Sequence, residues 1–267
     1  MRIWLPILIA CLCYLTPSFL LFKKSTSDKK LINFNTLLIA FGLVAHFIIL
    51  KASVSFNPIN LSFSNALITT SFFSILIFWA LNFNKNFNYL QPFLLIPSVL
   101  LLLIHPLFLT THFLTTNLSP LFITHIIIAL LAYSLFTFAA YLSIFILFFE
   151  KKLHQKKKID ALLSGSQPLI EMENFLFNIN KIGFILLAIT LVSGILFSEQ
   201  VFGMPLQFNH KTVFSILAWF IYGLVLLGKR LYGWRGRKSI YISLTAFLFL
   251  LLSYLGSKFV LEIILHR

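Results

Sequence analysis

Long apolar runs separated by short polar stretches recur along the whole chain. They occupy approximately residues 1 to 22, 31 to 50, 65 to 82, 93 to 110, 121 to 149, 176 to 198, 212 to 231 and 239 to 262. Each is close to the ~20 residues that a helix needs to cross a hydrocarbon core of about 30 Å. Apolar residues within the runs are continuous and do not alternate as barrel strands would, and lipid offers no partner to a backbone N–H or C=O, so helices are the natural reading. The pattern predicts an all-α, polytopic membrane helix bundle of about eight transmembrane helices. It reads as a single integral membrane domain over residues 1–267, with one sizeable soluble element, the basic loop 150–175.

Composition agrees. With 59% hydrophobic residues, 32 Phe and only 10% charged residues, the chain does not have the make-up of a soluble globular domain. The first run contains Leu8-Ile9-Ala10-Cys11, which looks like a lipoprotein cleavage box. Apolar sequence continues past it to Phe22 without a cleavage site and a polar mature start, so processing there is not expected. Cys11 and Cys13 stand two apart on one helix and point to different faces, which suits neither a disulfide nor a paired metal site.

The net charge of +14 is distributed by loop. Lys23, Lys24, Lys29 and Lys30 follow the first run and Lys85 the third. Lys151, Lys152, Lys156, Lys157, Lys158 and Lys181 flank the long loop, and Lys229, Arg230, Arg235, Arg237 and Lys238 join the last two runs. Sixteen of the 21 Lys and Arg therefore share one side, against Arg2, Lys51, Lys211, Lys258 and Arg267 on the other. By the positive-inside rule the rich side is cytoplasmic, so both termini are expected on the periplasmic side. No nucleic-acid module accompanies the charge, and no nucleic acid is expected as a partner; the lipid bilayer is.

On that topology six of the seven histidines fall on the outer side: His46, His105, His112, His125, His210 and His266, with His154 inside. A single His near a membrane helix end is ordinarily an interfacial hydrogen-bonding residue. Several at similar depth point further, because polar groups in lipid are costly and neutral imidazole is the commonest transition-metal ligand. The chain has no His-Glu-x-x-His, Cys-x-x-Cys or Cys-x-x-Cys-His, so any site must be assembled from different helices, as two axial imidazoles on a haem iron would be. Acidic residues are few and lie at helix ends or in the basic loops, which argues against an intramembrane carboxylate relay or a Mg or Ca cage.

Some further features shape the elements. EKKLHQKKK reads as a helix extension and an anchor to anionic headgroups. SGSQPLIEMENFLF reads as a turn followed by a short amphipathic stretch at the interface. GWRGR at 233–237 reads as a tight turn and topological anchor. Pro97 and Pro106 interrupt the fourth run, and Pro106 directly follows His105, where a kink can open space beside the imidazole.

From Thr124 onward the order of features resembles the CcsA-type cytochrome c assembly proteins, a family of haem-handling membrane proteins, and in particular its YpjD-like inner-membrane branch. The matching stretches are THIIIALLAYSLFTFAAY at 124–141, QPLIEMENFLF at 167–177, HKTVFSILAW at 210–219, GWRGR at 233–237 and LSYLGSKFVLEIIL at 252–265. The resemblance implies a multi-pass protein of a bacterial inner membrane that binds haem, taken as haem b, and takes part in delivering it to apocytochrome c, together with a second assembly membrane protein. It implies His125 and His210 as axial ligands of the haem iron, and His46 and His105 as intramembrane haem-holding residues. Phe208 and Trp219 are the further candidates for contact with the cofactor.

Family members with established haem delivery carry a Trp-Gly-x-x-Trp-x-Trp-Asp-Pro loop before the penultimate helix. Here residues 198–212 read SEQVFGMPLQFNHKT, with no Trp, although Phe202 and Phe208 offer flat apolar surface. The alternative expectation is therefore a non-haem accessory or metal-transport-related membrane protein that keeps the fold without the loop. A third is a structural scaffold for a partner membrane protein. Enzyme status stays open.

Overall fold

The computed structural model describes residues 3–23, 29–54, 60–83, 87–108, 120–154, 168–202 and 210–260. Eight long helices follow one another: α1 (Trp4–Lys23), α2 (Lys29–Val54), α3 (Phe63–Asn82), α4 (Gln91–Ile104), α5 (Pro120–His154), α6 (Leu169–Phe202), α7 (His210–Tyr232) and α8 (Arg237–Leu251). With the short turns flanking α4 and α8, eight helical stretches are long and apolar enough to cross a membrane, and no strand occurs among the described residues. The all-α polytopic bundle expected from the hydropathy pattern is the observed fold.

The outward surface shows why such a sequence needs lipid. Along α7, Val213, Leu217, Phe220, Leu224, Leu227 and Leu231 are all exposed, at the three- and four-residue spacing of one helix face. A soluble helix would place charges there. Polar residues lie inward instead, where hydroxyls bond the carbonyl one turn back: Thr69 to Asn65 (2.7 Å), Thr70 to Ala66 (2.8 Å) and Ser98 to Leu94 (2.7 Å).

Among the described residues three apolar clusters form, and the two larger ones hold the bundle. The larger gathers α1 to α6 around Tyr14, Ile39, Phe78, Leu94, Phe138 and Phe145. The second joins α5 to α8 around Tyr133, Phe136, Tyr222 and Leu250. Helix α5 serves both and is the spine. Phe136 stacks on Tyr222 with centroids 4.0 Å apart, and the Tyr133 hydroxyl donates to the Leu250 carbonyl at 3.0 Å.

Three expectations change in detail. The fourth run ends earlier as an α-helix, because Pro106 lacks the N–H a further α-turn needs; His105–Phe108 continue as a 3₁₀ turn. The stretch expected to lie at the interface after Pro168 is instead the start of α6, with Met172, Phe175 and Leu176 buried in the larger cluster. The last run does not stay α-helical: LSYLG at Leu252–Gly256 forms a π-turn.

GWRGR is more than an anchor. Gly233 (φ 64°) and Gly236 (φ 67°) take left-handed conformations that end α7 and start α8. The Trp234 indole covers Gly228, where a Cβ would overlap it, and Lys238 Nζ lies 4.2 Å from that ring's centroid. The buried Glu173 accepts the Gly236 N–H through Oε2 at 3.3 Å, while Glu150 accepts from Arg237 at 3.1 Å. The ends of α5 and α6 are thus tied to the start of α8 by Glu150 and Glu173, and α7 joins them through Lys229, which donates to Asn174 at 3.0 Å.

The closest approach of α5 and α6 generates a test. A Cβ on Gly183 would sit 2.8 Å from Phe136 Cε1 and Cζ, and Phe136 cannot retreat because Tyr222 is stacked on it. At Gly194 on the same helix a Cβ would meet only His125 Cε1, at an ordinary 3.5 Å. Gly183→Ala is expected to destabilise by about 1–3 kcal/mol through overpacking. Gly194→Ala is expected to be neutral or to gain up to ~1 kcal/mol of helix propensity. Thermal unfolding of the two variants in detergent, monitored by helical circular dichroism, distinguishes them.

Candidate functional site

The histidines are built into the fold in three different ways. His46 lies on α2 four residues after Gly42, on the same helix face. Gly42 has no side chain where the Tyr14 ring of α1 packs, and a Cβ there would overlap it. That close approach lets the Tyr14 hydroxyl reach His46 Nδ1 at 3.3 Å. Phe72 of α3 closes another side edge-on, with centroids 5.4 Å apart. The imidazole is fully buried, and its Nε2 has no hydrogen-bond partner among the described residues.

His105 is buried as well, but both its nitrogens are engaged. Ser64 Oγ of α3 lies 2.6 Å from Nδ1, and Ser53 Oγ of α2 lies 3.1 Å from Nε2. Asn65 steadies the same corner by donating to the carbonyls of Ser53 and Asn60, each at 3.0 Å. A cavity of about 60 Å³ lies beside it, lined mainly by apolar side chains such as Phe63, Leu67 and Phe259. Ser53 stands seven residues beyond His46 on α2, about 10 Å along the helix axis, so the two imidazoles share one end of the α1–α4 region.

His125 belongs to the α5–α6 pair. It is half-buried, and its Nδ1 lies 2.7 Å from Ser193 Oγ of α6. Phe122 lies near-parallel to it at 6.0 Å and Phe197 edge-on at 5.9 Å. Gly194 leaves room for the ring against α6.

His210 opens α7 and is exposed, with no hydrogen bond or ring contact to His125 among the described residues. Phe208 and the loop 203–209 lie outside the described residues, as do His112 and His266. Trp219 is not at the bundle end. It packs between α6 and α7, stacked on Phe184 at 4.9 Å and edge-on to Phe220 at 5.3 Å, with Nε1 buried and unpartnered among the described residues. The structure therefore brings His46 and His105 into one region, and it shows no direct contact between His125 and His210.

Among the described residues no group of three or more His, Cys, Asp or Glu side chains could hold a metal ion. Cys11 and Cys13 are unpaired. What the site offers among the described residues is imidazoles within apolar and aromatic surroundings.

A family model described as Cytochrome C assembly protein matches residues 7–265. The chain belongs to the cytochrome c assembly protein family. Similar proteins include the inner membrane protein YpjD of Escherichia coli (strain K12), 32% identical over 146 residues, which are 55% of this chain and 54% of YpjD. The cytochrome c biogenesis protein CcsA of Prochlorococcus marinus (strain MIT 9301) is 26% identical over 159 residues, 53% of this chain and 52% of that protein. The matched part of the chain thus spans about half the length of these relatives. No solved structure matches.

Motif reasoning missed the residues that hold the imidazoles: Tyr14, Ser53, Ser64 and Ser193. One signal was available. Ser193-Gly194 is a small pair inside an apolar run, the composition that lets membrane helices approach and hydrogen-bond. The engaged state of His105 yields a direct test. Ser64→Ala removes the partner of Nδ1 in an imidazole that is 1% exposed, at an expected cost of about 1–3 kcal/mol. Ser64→Thr keeps the hydroxyl and should recover most of that stability. Detergent thermal denaturation of the three proteins measures the difference.

Proposed function

We propose that the protein is a multi-pass inner-membrane component of cytochrome c biogenesis that binds haem through histidines at the end of the bundle opposite its basic loops. Positive charge gathered at the Glu150, Glu173 and Arg237 end supports a cytoplasmic location for that end and a periplasmic one for His125 and His210. The carrying observation is His125. Its Nδ1 is held by a hydroxyl, its Nε2 has no described partner, and Phe122 and Phe197 supply flat apolar surface beside it. Those are the features of an imidazole poised as a ligand.

These residues fit haem b. His125 and His210 would supply axial nitrogens, and an exposed His210 at the start of α7 is accessible to an incoming group. His46, buried with an unpartnered Nε2, suits a second holding position within the membrane better than His105, whose nitrogens are both taken by serines. Bound haem would supply an iron that accepts two imidazoles and a porphyrin for delivery to a partner protein. The chain's own contribution is to hold imidazoles in fixed orientation and to keep water from the buried ones. Apocytochrome c and a second assembly membrane protein are the partners this reading requires.

The absence of Trp from residues 198–212 favours a second reading, a non-haem accessory or metal-transport-related component on the same fold. Absorption spectra of the detergent-purified protein, oxidised and reduced, decide between them. The expected result is a Soret band with sharp α and β bands of bis-imidazole haem, weakened or shifted in His125→Ala and in His210→Ala. Full haem stoichiometry and an unchanged spectrum in both variants would sink the ligand assignment. Haem-free protein from haem-replete cells would favour the second reading.

A further inference from the structure

We propose that Ser193 is a positioning residue that fixes the tautomer of His125, so that Nδ1 carries the proton and Nε2 the free lone pair. A serine hydroxyl has a single proton to donate. Ser193 Oγ donates to the Ile189 carbonyl one turn back at 2.7 Å, with the Thr190 carbonyl at 3.2 Å sharing the same direction. That oxygen then has only lone pairs to offer to His125 Nδ1, which lies 2.7 Å away. Nδ1 must be the donor.

The competing arrangement makes fewer bonds. If the hydroxyl turned to donate to Nδ1, the bond to Ile189 would be lost and the imidazole proton would move to Nε2, which has no partner among the described residues. Counting partners among the described residues, one arrangement satisfies two protons and the other satisfies one. A net hydrogen bond favours the first by roughly five- to tenfold. The aromatic faces of Phe122 and Phe197 offer Nε2–H no conventional acceptor that would offset this. In the favoured tautomer, the ring nitrogen on the far edge from the serine is the one able to bind a Lewis acid.

His46 and His105 provide the contrast. At His46 the Tyr14 hydroxyl lies 3.3 Å from Nδ1, and no backbone carbonyl shown takes the phenol proton, so the same count of donors does not apply. At His105 a serine stands at each nitrogen. Of these three imidazoles, His125 alone has one nitrogen facing a hydroxyl whose proton is committed to a backbone carbonyl while the other nitrogen is open among the described residues.

The consequence for haem rests on the reading of His125 as a ligand, whereas the tautomer itself is a property of the haem-free protein, so the two are tested separately. The full chain, labelled with ¹⁵N-histidine and purified haem-free in detergent, is measured by NMR above about pH 8, where imidazole is neutral. Loss of signal in His125→Gln assigns the resonances. The expected result is a pyrrole-type Nδ1 and a pyridine-type Nε2 for His125, retained in Ser193→Thr and shifted towards the Nε2–H form in Ser193→Ala. A protonated Nε2 in the unsubstituted protein overturns the proposal by itself, even if Ser193→Ala fails to fold. An unchanged tautomer in a folded Ser193→Ala also overturns it. Titration with haemin then reads the consequence: affinity is expected to fall about five- to tenfold in Ser193→Ala and to stay near the original in Ser193→Thr. If His125→Gln binds haemin as tightly as the unsubstituted protein, the ligand reading fails while the tautomer result stands.

Discussion

A polar group inside this bundle has no water to turn to, and that constraint shapes nearly everything else. It makes the backbone helical, because only a helix satisfies its own N–H and C=O groups within one segment. It sends serine and threonine hydroxyls back to carbonyls of their own helices, as at Thr69, Thr70 and Ser98. It also makes each buried imidazole depend on a particular neighbour. His105 is satisfied at both nitrogens, His125 at one by a serine on the next helix, and His46 at one by a tyrosine two helices from the Phe72 that closes its other side.

Close helix approach is the means by which those neighbours arrive. Gly42 admits Tyr14, Gly183 admits Phe136, Gly194 sits against His125, and Gly228 lies under Trp234. At Gly42, Gly183 and Gly228 the missing side chain lets an aromatic ring settle against the backbone, where dispersion contacts are dense; at Gly194 an added Cβ would make only an ordinary contact with the imidazole. The packing of α5 on α6 and the hydrogen bond from His125 to Ser193 are therefore one arrangement seen at two depths. The two ends of the bundle divide the remaining work. Glu150 and Glu173 link the basic ends of α5, α6 and α8, while the opposite end carries His46, His105, His125 and His210 with fewer charges, Lys51 and Lys211 among them. One end of the bundle is thus charged and tied, and the other carries fewer charges and several aromatic side chains.

The number and type of elements could be read directly because hydropathy acts locally: some twenty apolar residues in a row must cross as a helix, whatever their neighbours. The four imidazoles could be picked out for the same reason, as rare polar residues at membrane depth. Their states could not. Nothing in the strings around His105 and His125 distinguishes an imidazole held at both nitrogens from one held at a single nitrogen, since Ser53, Ser64 and Ser193 lie 52, 41 and 68 residues away in the chain. Trp219 shows the converse case. Its indole is one of only four in the chain and drew attention as a cofactor contact, yet it stacks on Phe184 inside the α6–α7 packing.

By itself, then, the sequence determined a membrane bundle of eight helices, a basic end and an opposite end rich in histidine, because partition between water, headgroups and hydrocarbon is decided residue by residue. Only the tertiary structure decided that α6 begins in the core directly after Pro168, that the last helix loosens into a π-turn, and which nitrogen of which histidine is left open. Those outcomes depend on the partners that helices distant in sequence bring within 3 Å or so of one another, and a hydrogen bond is directional and short.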